Sequence, residues 1–308
     1  MEELNYLVET NNLTKIYSHH KVVDNVNMHI PLGEIYGFVG ENGSGKTTIM
    51  RLLTGLAEPS RGGYSLFGIS HKDKKIYKAR KSMSALVETA SLVPTMTALE
   101  NMQFQELYLG IKLSEEERKE YLKKVHLENV GKKKVKNFSL GMRQRLAIAL
   151  ALINKPKLMF LDEPMNGLDP QGIAELRDLL VEINKRDKIT ILISSHILSE
   201  LEKIASTYGF ISHGKLLQEI SAVELQQKCK KSLLLKVSDI DKVEKLLKEN
   251  NIKEYKVSPN GDINIYDEVD IGDIVTKINK DKVKILSINS SDQSVEDYYF
   301  SLIGGVNQ

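Results

Sequence analysis

The chain is 308 residues long, with 27% charged residues and a formal net charge of +2. That length allows more than one domain and a sizeable core, and so balanced a charge gives no bulk attraction to nucleic acid. The only cysteine, Cys229, excludes an internal disulfide framework and suits a reducing compartment. Met1-Glu2-Glu3 is acidic with no apolar stretch after it, so no secretory signal is expected. Residues 6–30 read as antiparallel strands, the second with Val26, Met28 and Ile30 alternating against Asn25, Asn27 and His29. Tyr17, in the turn before Ser18-His19-His20, reads as packing. The apolar run Ile35-Tyr36-Gly37-Phe38-Val39 reads as a buried strand, followed by a glycine-rich loop and a helix ending near Gly55. A strand over residues 64–67 leads into a basic segment, residues 72–81. From about residue 90 to 153 the pattern becomes helical, with Ser114 and Glu117 as a capping box and the last helix beginning near Ser139. Its run over residues 146–153 is the longest apolar one, far short of the ~20 residues that span a bilayer. Residues 157–161 form a short buried strand, Asp169-Pro170 opens a helix, and residues 189–194 form another strand ending at Ser195-His196. This alternation predicts an α/β fold with a mostly parallel sheet and a helical subdomain, about 90–153, inserted into it. After about residue 221 the pattern restarts as β-α-β-β-α-β plus a closing helix, a ferredoxin-like α+β domain over 222–308.

The chemistry centres on Gly40-Glu41-Asn42-Gly43-Ser44-Gly45-Lys46-Thr47, which fits G-x-x-x-x-G-K-[ST] between a strand and a helix. Glycines let backbone N–H groups turn inward around an anion, and the new helix aims its positive end there. Lys46 can reach the β- and γ-phosphates and Thr47 can hold Mg²⁺, so the pattern predicts ATP and Mg²⁺ as ligands. Asp162-Glu163 closes a strand at the edge where α/β folds gather ligands. Asp162 is then a candidate Mg²⁺ ligand and Glu163 the base that takes a proton from water. His196, at the same edge of the next strand, is a candidate hydrogen-bond donor to the γ-phosphate.

With these segments quoted, the chain resembles the nucleotide-binding subunit of an ATP-binding cassette (ABC) transporter over about residues 13–218. The ordered matches are the phosphate loop, Phe138-Ser139-Leu140-Gly141-Met142-Arg143-Gln144-Arg145, the strand ending at Pro164, Gly167-Leu168-Asp169-Pro170, and His196. The resemblance implies a P-loop NTPase fold with a RecA-like core, an antiparallel β-subdomain and a helical subdomain within residues 1–221. It implies that Tyr17 stacks on adenine and that Gly40, Asn42, Gly43, Ser44, Gly45, Lys46, Thr47 and Thr48 bind the nucleotide. Ser139, Leu140 and Gly141 would cover the γ-phosphate held by a second copy, and Asp169 would cross the dimer interface. The chain departs from the family pattern in two segments. Leu140 and Met142 replace a glycine and the glutamine of L-S-G-G-Q, and Glu88 stands where the family generally has a metal-sensing glutamine. Glu88 is accordingly expected to act in catalysis and as a metal ligand.

These departures, with the added C-terminal domain, resemble the branch serving bacitracin and lantibiotic resistance or immunity exporters. The function so implied is an ATPase powering a separate membrane permease, as a homodimer held at the inner face of the cell membrane with no nucleic-acid partner. The alternatives are a soluble cassette ATPase of DNA repair or translation, which would carry two cassettes or a long coiled-coil insertion, and a nucleotide-binding regulator that does not hydrolyse.

Overall fold

The computed structural model describes residues 5–87, 91–229, 231–250, 252–253, 255–258, 261–267, 269–281, 283–292 and 295–306. The chain divides into two compact units, Met1–Ala222 and Val223–Gln308.

In the first unit, β1 (Tyr6–Tyr17) turns through Ser18 and His19, both at positive φ, into β2 (His20–Val26). Such a mirror-image turn matches the natural twist of a hairpin. The alternation over residues 25–30 is two strands rather than the single one the pattern suggests: Asn25 sits at φ 53° and β3 (His29–Pro31) begins afresh. β2 pairs with the second half of β1 and β3 with its first half. Thr10 fills the junction, donating to Val26 O at 2.8 Å and accepting from Met28 N at 2.7 Å.

β4 (Ile35–Val39) is buried along its whole length, as a strand covered on both faces must be. It leads through the glycine loop into α1 (Lys46–Thr54), which Gly55 ends in the left-handed region. β5 (Arg61–Leu66), β6 (Ile69–Ser70), α2 (Ile76–Lys81) and β7 (Met83–Leu86) follow. The helical insertion holds α3 (Ala98–Leu109), α4 (Glu115–Lys124), a 3₁₀ turn at Val135–Asn137 and α5 (Leu140–Ile153). The chain then returns through β8 (Leu158–Asp162), α6 (Pro170–Asp187), β9 (Thr190–Ser195), α7 (Leu198–Leu201), β10 (Thr207–Ser212) and β11 (Lys215–Ser221).

Two sheets result. One is antiparallel, ordered β2-β1-β5-β6 with β3 beside β1; the other is ordered β11-β10-β4-β9-β8-β7. From β10 to β7 every neighbour is parallel, and only β11 runs against its partner. Met28 and Ile30 from the first sheet, Tyr36 and Phe38 from β4, and Ile49, Met50, Leu52 and Leu53 from α1 share one buried core. Each such side chain contributes roughly 1.5–3 kcal/mol of burial, so the loop between β4 and α1 is anchored at both ends.

The second unit contains α8 (Ala222–Lys228, starting at the boundary residue), β12 (Lys231–Val237), α9 (Ile240–Glu249), β13 (Tyr255–Val257), β14 (Ile263–Ile265), α10 (Ile271–Lys280), β15 (Ile285–Asp292) and α11 (Val295–Val306). The sheet order β13-β14-β12-β15, antiparallel throughout, is that of a ferredoxin-like sandwich. Val243, Leu246 and Leu247 of α9 and Ile274 and Ile278 of α10 pack with Leu233, Leu235, Ile263 and Ile265 of the sheet.

Inside the helical insertion one ion pair fixes α3 to α4. Glu106 is buried and receives Arg118 Nε at 2.6 Å and its NH2 at 2.9 Å, and the Leu113 N–H at 3.0 Å completes the shell. The guanidinium holds the Glu106 carboxyl below its ordinary range. A depressed carboxyl stabilises the fold above its unfolded pKa of about 4.3 and loses that contribution as pH falls through the folded value. Arg118→Ala, which strands the buried carboxylate, is expected to cost about 3 kcal/mol in urea unfolding at pH 7. The deficit should shrink as pH falls through the folded value, where wild type loses the pair as well.

Candidate functional site

The phosphate loop is shaped by what its glycines allow. A Cβ on Gly40 would come 2.5 Å from Ser44 Oγ and 2.6 Å from Ile211 O. Gly45 adopts φ 109°, with the Val22 carbonyl 2.8 Å from where a Cβ would stand. The return strand of the Tyr17 hairpin therefore presses directly on the loop. Ser44 is buried and its hydroxyl has no hydrogen-bond partner among the described residues, so it suits a phosphate oxygen. Lys46 is 6% exposed; its ammonium donates to Gly40 O at 2.6 Å and to Glu41 O at 3.1 Å, curled back over the loop.

The acids at the end of β8 meet this loop. Thr47 Oγ1 donates to Asp162 Oδ2 at 2.7 Å, so the expected Mg²⁺ pair lies in direct contact. Both are hard oxygen donors, and a hydroxyl plus one carboxylate suits an ion that takes its other ligands from phosphates and water. Glu163 lies between two cationic or polar partners: Oε1 is 3.3 Å from Lys46 Nζ and Oε2 is 2.8 Å from His196 Nδ1. Its backbone sits at φ 47°, an uncommon conformation for a residue with a Cβ.

What holds it there was not evident from the sequence pattern. Ser194, fully buried near the end of β9, donates to Asp162 Oδ1 at 2.7 Å and accepts the Glu163 N–H at 2.8 Å. One hydroxyl thus sets both acids. The available signal was a serine pair closing an otherwise apolar strand beside the Asp-Glu strand.

Of the remaining predicted residues, three lie on the loop and its helix, and the other described ones lie outside these elements. Tyr17 is half exposed at the end of β1, with Lys15 Nζ 4.8 Å from its ring centre. Asn42 and Gly43 are exposed on the loop and Thr48 is half-buried in the first turn of α1. Ser139 is exposed and caps α5 by accepting the Met142 N–H at 3.2 Å. Leu140 is 41% exposed, and Gly141 lies on the same first turn. Asp169 caps α6 through the Gly172 N–H at 2.9 Å. Among the described residues, Ser139, Leu140, Gly141 and Asp169 make no hydrogen bond or ion pair with the phosphate loop of their own chain. Glu88 lies outside the described residues.

An anion-binding loop, a hydroxyl–carboxylate pair and a carboxylate beside a histidine equip the site for phosphoryl transfer from a nucleoside triphosphate to water. A family model for the ABC transporter matches residues 23–166. The chain belongs to the ATP-binding subunits of ABC transporters, and it is an ATPase of that family.

Relatives match along nearly its full length. The bacitracin transport ATP-binding protein BcrA of Enterococcus faecalis is 38% identical over 98% of both chains. Its namesake from Bacillus licheniformis is 40% identical over 97% of this chain and 98% of the relative. The lantibiotic transport ATP-binding protein SrtF of Streptococcus pyogenes is 44% identical over 69% of this chain and 90% of its own. Among solved structures, a dimeric post-hydrolysis cassette bound to ADP and Pi superposes with a TM-score of 0.62 at 28% identity, covering 70% of this chain and 98% of that one. A cassette of Clostridium perfringens, part of the cbiONQ transporter complex, gives 0.64 at 26% identity over 79% and 95%.

Ser194→Ala should lower ATP turnover roughly 10- to 100-fold, in the range that losing a partner which orients a ligand costs. KM for ATP should change little, because Lys46 and the loop are untouched; steady-state phosphate release measures both.

Proposed function

We propose that this chain drives the export of amphipathic antimicrobial peptides of the bacitracin or lantibiotic kind. In this reading two copies work on a separate permease at the inner face of the cell membrane. The observation that carries the substrate class is the match to relatives named for bacitracin transport across both units of the chain, the C-terminal one included. Residues 1–221 are the nucleotide-binding domain in this reading and residues 222–308 an accessory domain.

Mg²⁺, held by Thr47 and Asp162, would neutralise phosphate charge in the bound nucleotide. Lys46 would exchange its contact with Glu163 for β- and γ-phosphate oxygens. Glu163, so released, accepts the proton of the attacking water, and His196 keeps its carboxylate aimed. Glu88, which precedes the helical insertion in the sequence, would add a carboxylate toward the Mg²⁺ site. Tyr17 offers its ring face to adenine, and Asn42 to Thr48 contact the phosphates.

The copy opposite would cover the γ-phosphate with Ser139, Leu140 and Gly141. Ser139 and Leu140 stand exposed and Gly141 half-buried at the positive end of a 14-residue helix, where an anion is favoured. Asp169 of each copy would reach across the same interface. The dimeric state of a solved cassette at 28% identity supports this pairing.

A docking place for the permease is offered by the groove of about 320 Å³ between β7 and the helices of the insertion, lined by Ser84, Leu86, Gln105, Leu109 and Asn154. Beside it, α3 turns Phe104, Leu107 and Tyr108 outward, 53%, 80% and 82% exposed. So much exposed apolar surface on one helix suits a protein partner. No helix among the described residues is long and apolar enough to cross a membrane, so the permease would be a separate chain or domain.

Glu163→Gln is expected to retain ATP binding while phosphate release falls at least about 100-fold. Dimers should accumulate in ATP, seen by size exclusion; unchanged turnover would remove Glu163 as the base. Lys46→Ala should lose nucleotide affinity in a fluorescent-ATP titration. Cells carrying that variant beside an intact permease should regain sensitivity to the exported peptide.

A further inference from the structure

The segment ending in α2 carries more charge than its fold needs. Between residues 72 and 81 stand Lys72, Lys74, Lys75, Lys78 and Lys81, all exposed. None has a carboxylate within ion-pair distance among the described residues. The one acid in the stretch, Asp73, accepts the Lys75 backbone N–H at 2.7 Å and so caps the turn. The helix is held by its other face: Ile76 and Ala79 are buried, and Arg80 NH2 donates to Tyr64 Oη at 2.9 Å. Tyr77 points outward beside the lysines, 53% exposed, with Lys81 Nζ 5.9 Å from its ring centre. Lys155 and Lys157 extend the patch. Their turn is stitched to the end of α2 by Asn154 Nδ2 donating to Lys81 O at 2.9 Å and Lys157 N donating to Ser82 O at 2.8 Å.

Placement gives this patch its meaning. Asn154 and Met83, which adjoin Lys81 and Ser82, line one end of the groove proposed above for the permease. We propose that the lysine face of α2 and the turn at Lys155–Lys157 bind the anionic headgroups of the membrane surface beside the permease, with Tyr77 as an interfacial anchor. The inference rests on permease docking in that groove, which would carry the adjoining α2 toward the membrane surface. Lysines near an anionic leaflet attract it additively within a Debye length, about fivefold in partitioning for each side chain. Tyrosine rings favour the headgroup level.

The vesicle assay uses the full-length chain alone, so that its failure is separable from failure of the permease reading. The chain should co-sediment with vesicles holding about 30% phosphatidylglycerol in phosphatidylcholine, and should not co-sediment with pure phosphatidylcholine. Raising salt from about 50 to about 500 mM should release it. The variant K74Q/K75Q/K78Q/K81Q, altered only on the exposed face, should lose at least tenfold in vesicle affinity with ATP turnover unchanged. Equal binding to both vesicle types, or no effect of the four substitutions, overturns the proposal. Unaltered vesicle binding with weakened permease co-purification would also overturn it, by assigning the lysines to an acidic protein segment instead.

Discussion

The buried ammonium of Lys46 is the charge around which the site is built. It leaves water at the mouth of a loop whose own carbonyls satisfy it, and its remaining neighbour is the Glu163 carboxylate. An ion so placed is costly unless compensated. The same geometry makes it a strong receptor for phosphate oxygens, because a desolvated cation attracts an anion far more than an exposed one does. The fold serves this arrangement. β4 and α1 fix the loop, β8 delivers the two acids, and β9 delivers the serine that orients them and the histidine that caps the far carboxylate oxygen.

Much of this was legible in the sequence because the signals are local. A glycine loop between a buried strand and a helix, Asp-Glu at a strand end, and Asp before Pro at a helix start each state their geometry within a few residues. The capping box at Ser114 and Glu117 is formed as read, and the β-α-β-β-α-β order of the second unit appears with the strand order of that sandwich. What was hidden depends on partners distant in sequence. Ser194 acquires its role only when β9 lies beside β8, where its hydroxyl accepts the N–H of Glu163 at positive φ. The break between β2 and β3 needed Thr10, from another strand, to satisfy both sides. β7, β10 and β11 went unread because their short segments mix polar and apolar residues without strict alternation.

The helical insertion shows a different economy. Its interior is closed by a buried ion pair and two capping boxes, whereas its outward apolar residues on α3 remain uncovered. Local polar ties keep the insertion shaped without spending those side chains on its own core. The same helix can then hold its fold and still present an apolar face to another protein.

The order of strands in the parallel sheet also has a consequence for how the protein is made. Ile35 pairs with Ile191, and Phe38 with Gly209, so the strand before the phosphate loop lies between two neighbours that are synthesised much later. With about 150 residues intervening and translation at about 5–20 residues per second, β4 waits roughly 10–30 seconds for its flanks. Throughout that interval the edges of this buried strand stay open, its faces covered only by α1 and the segments up to β7 that share its core. A nascent chain of this design is a natural client for chaperones until Ser212 has emerged.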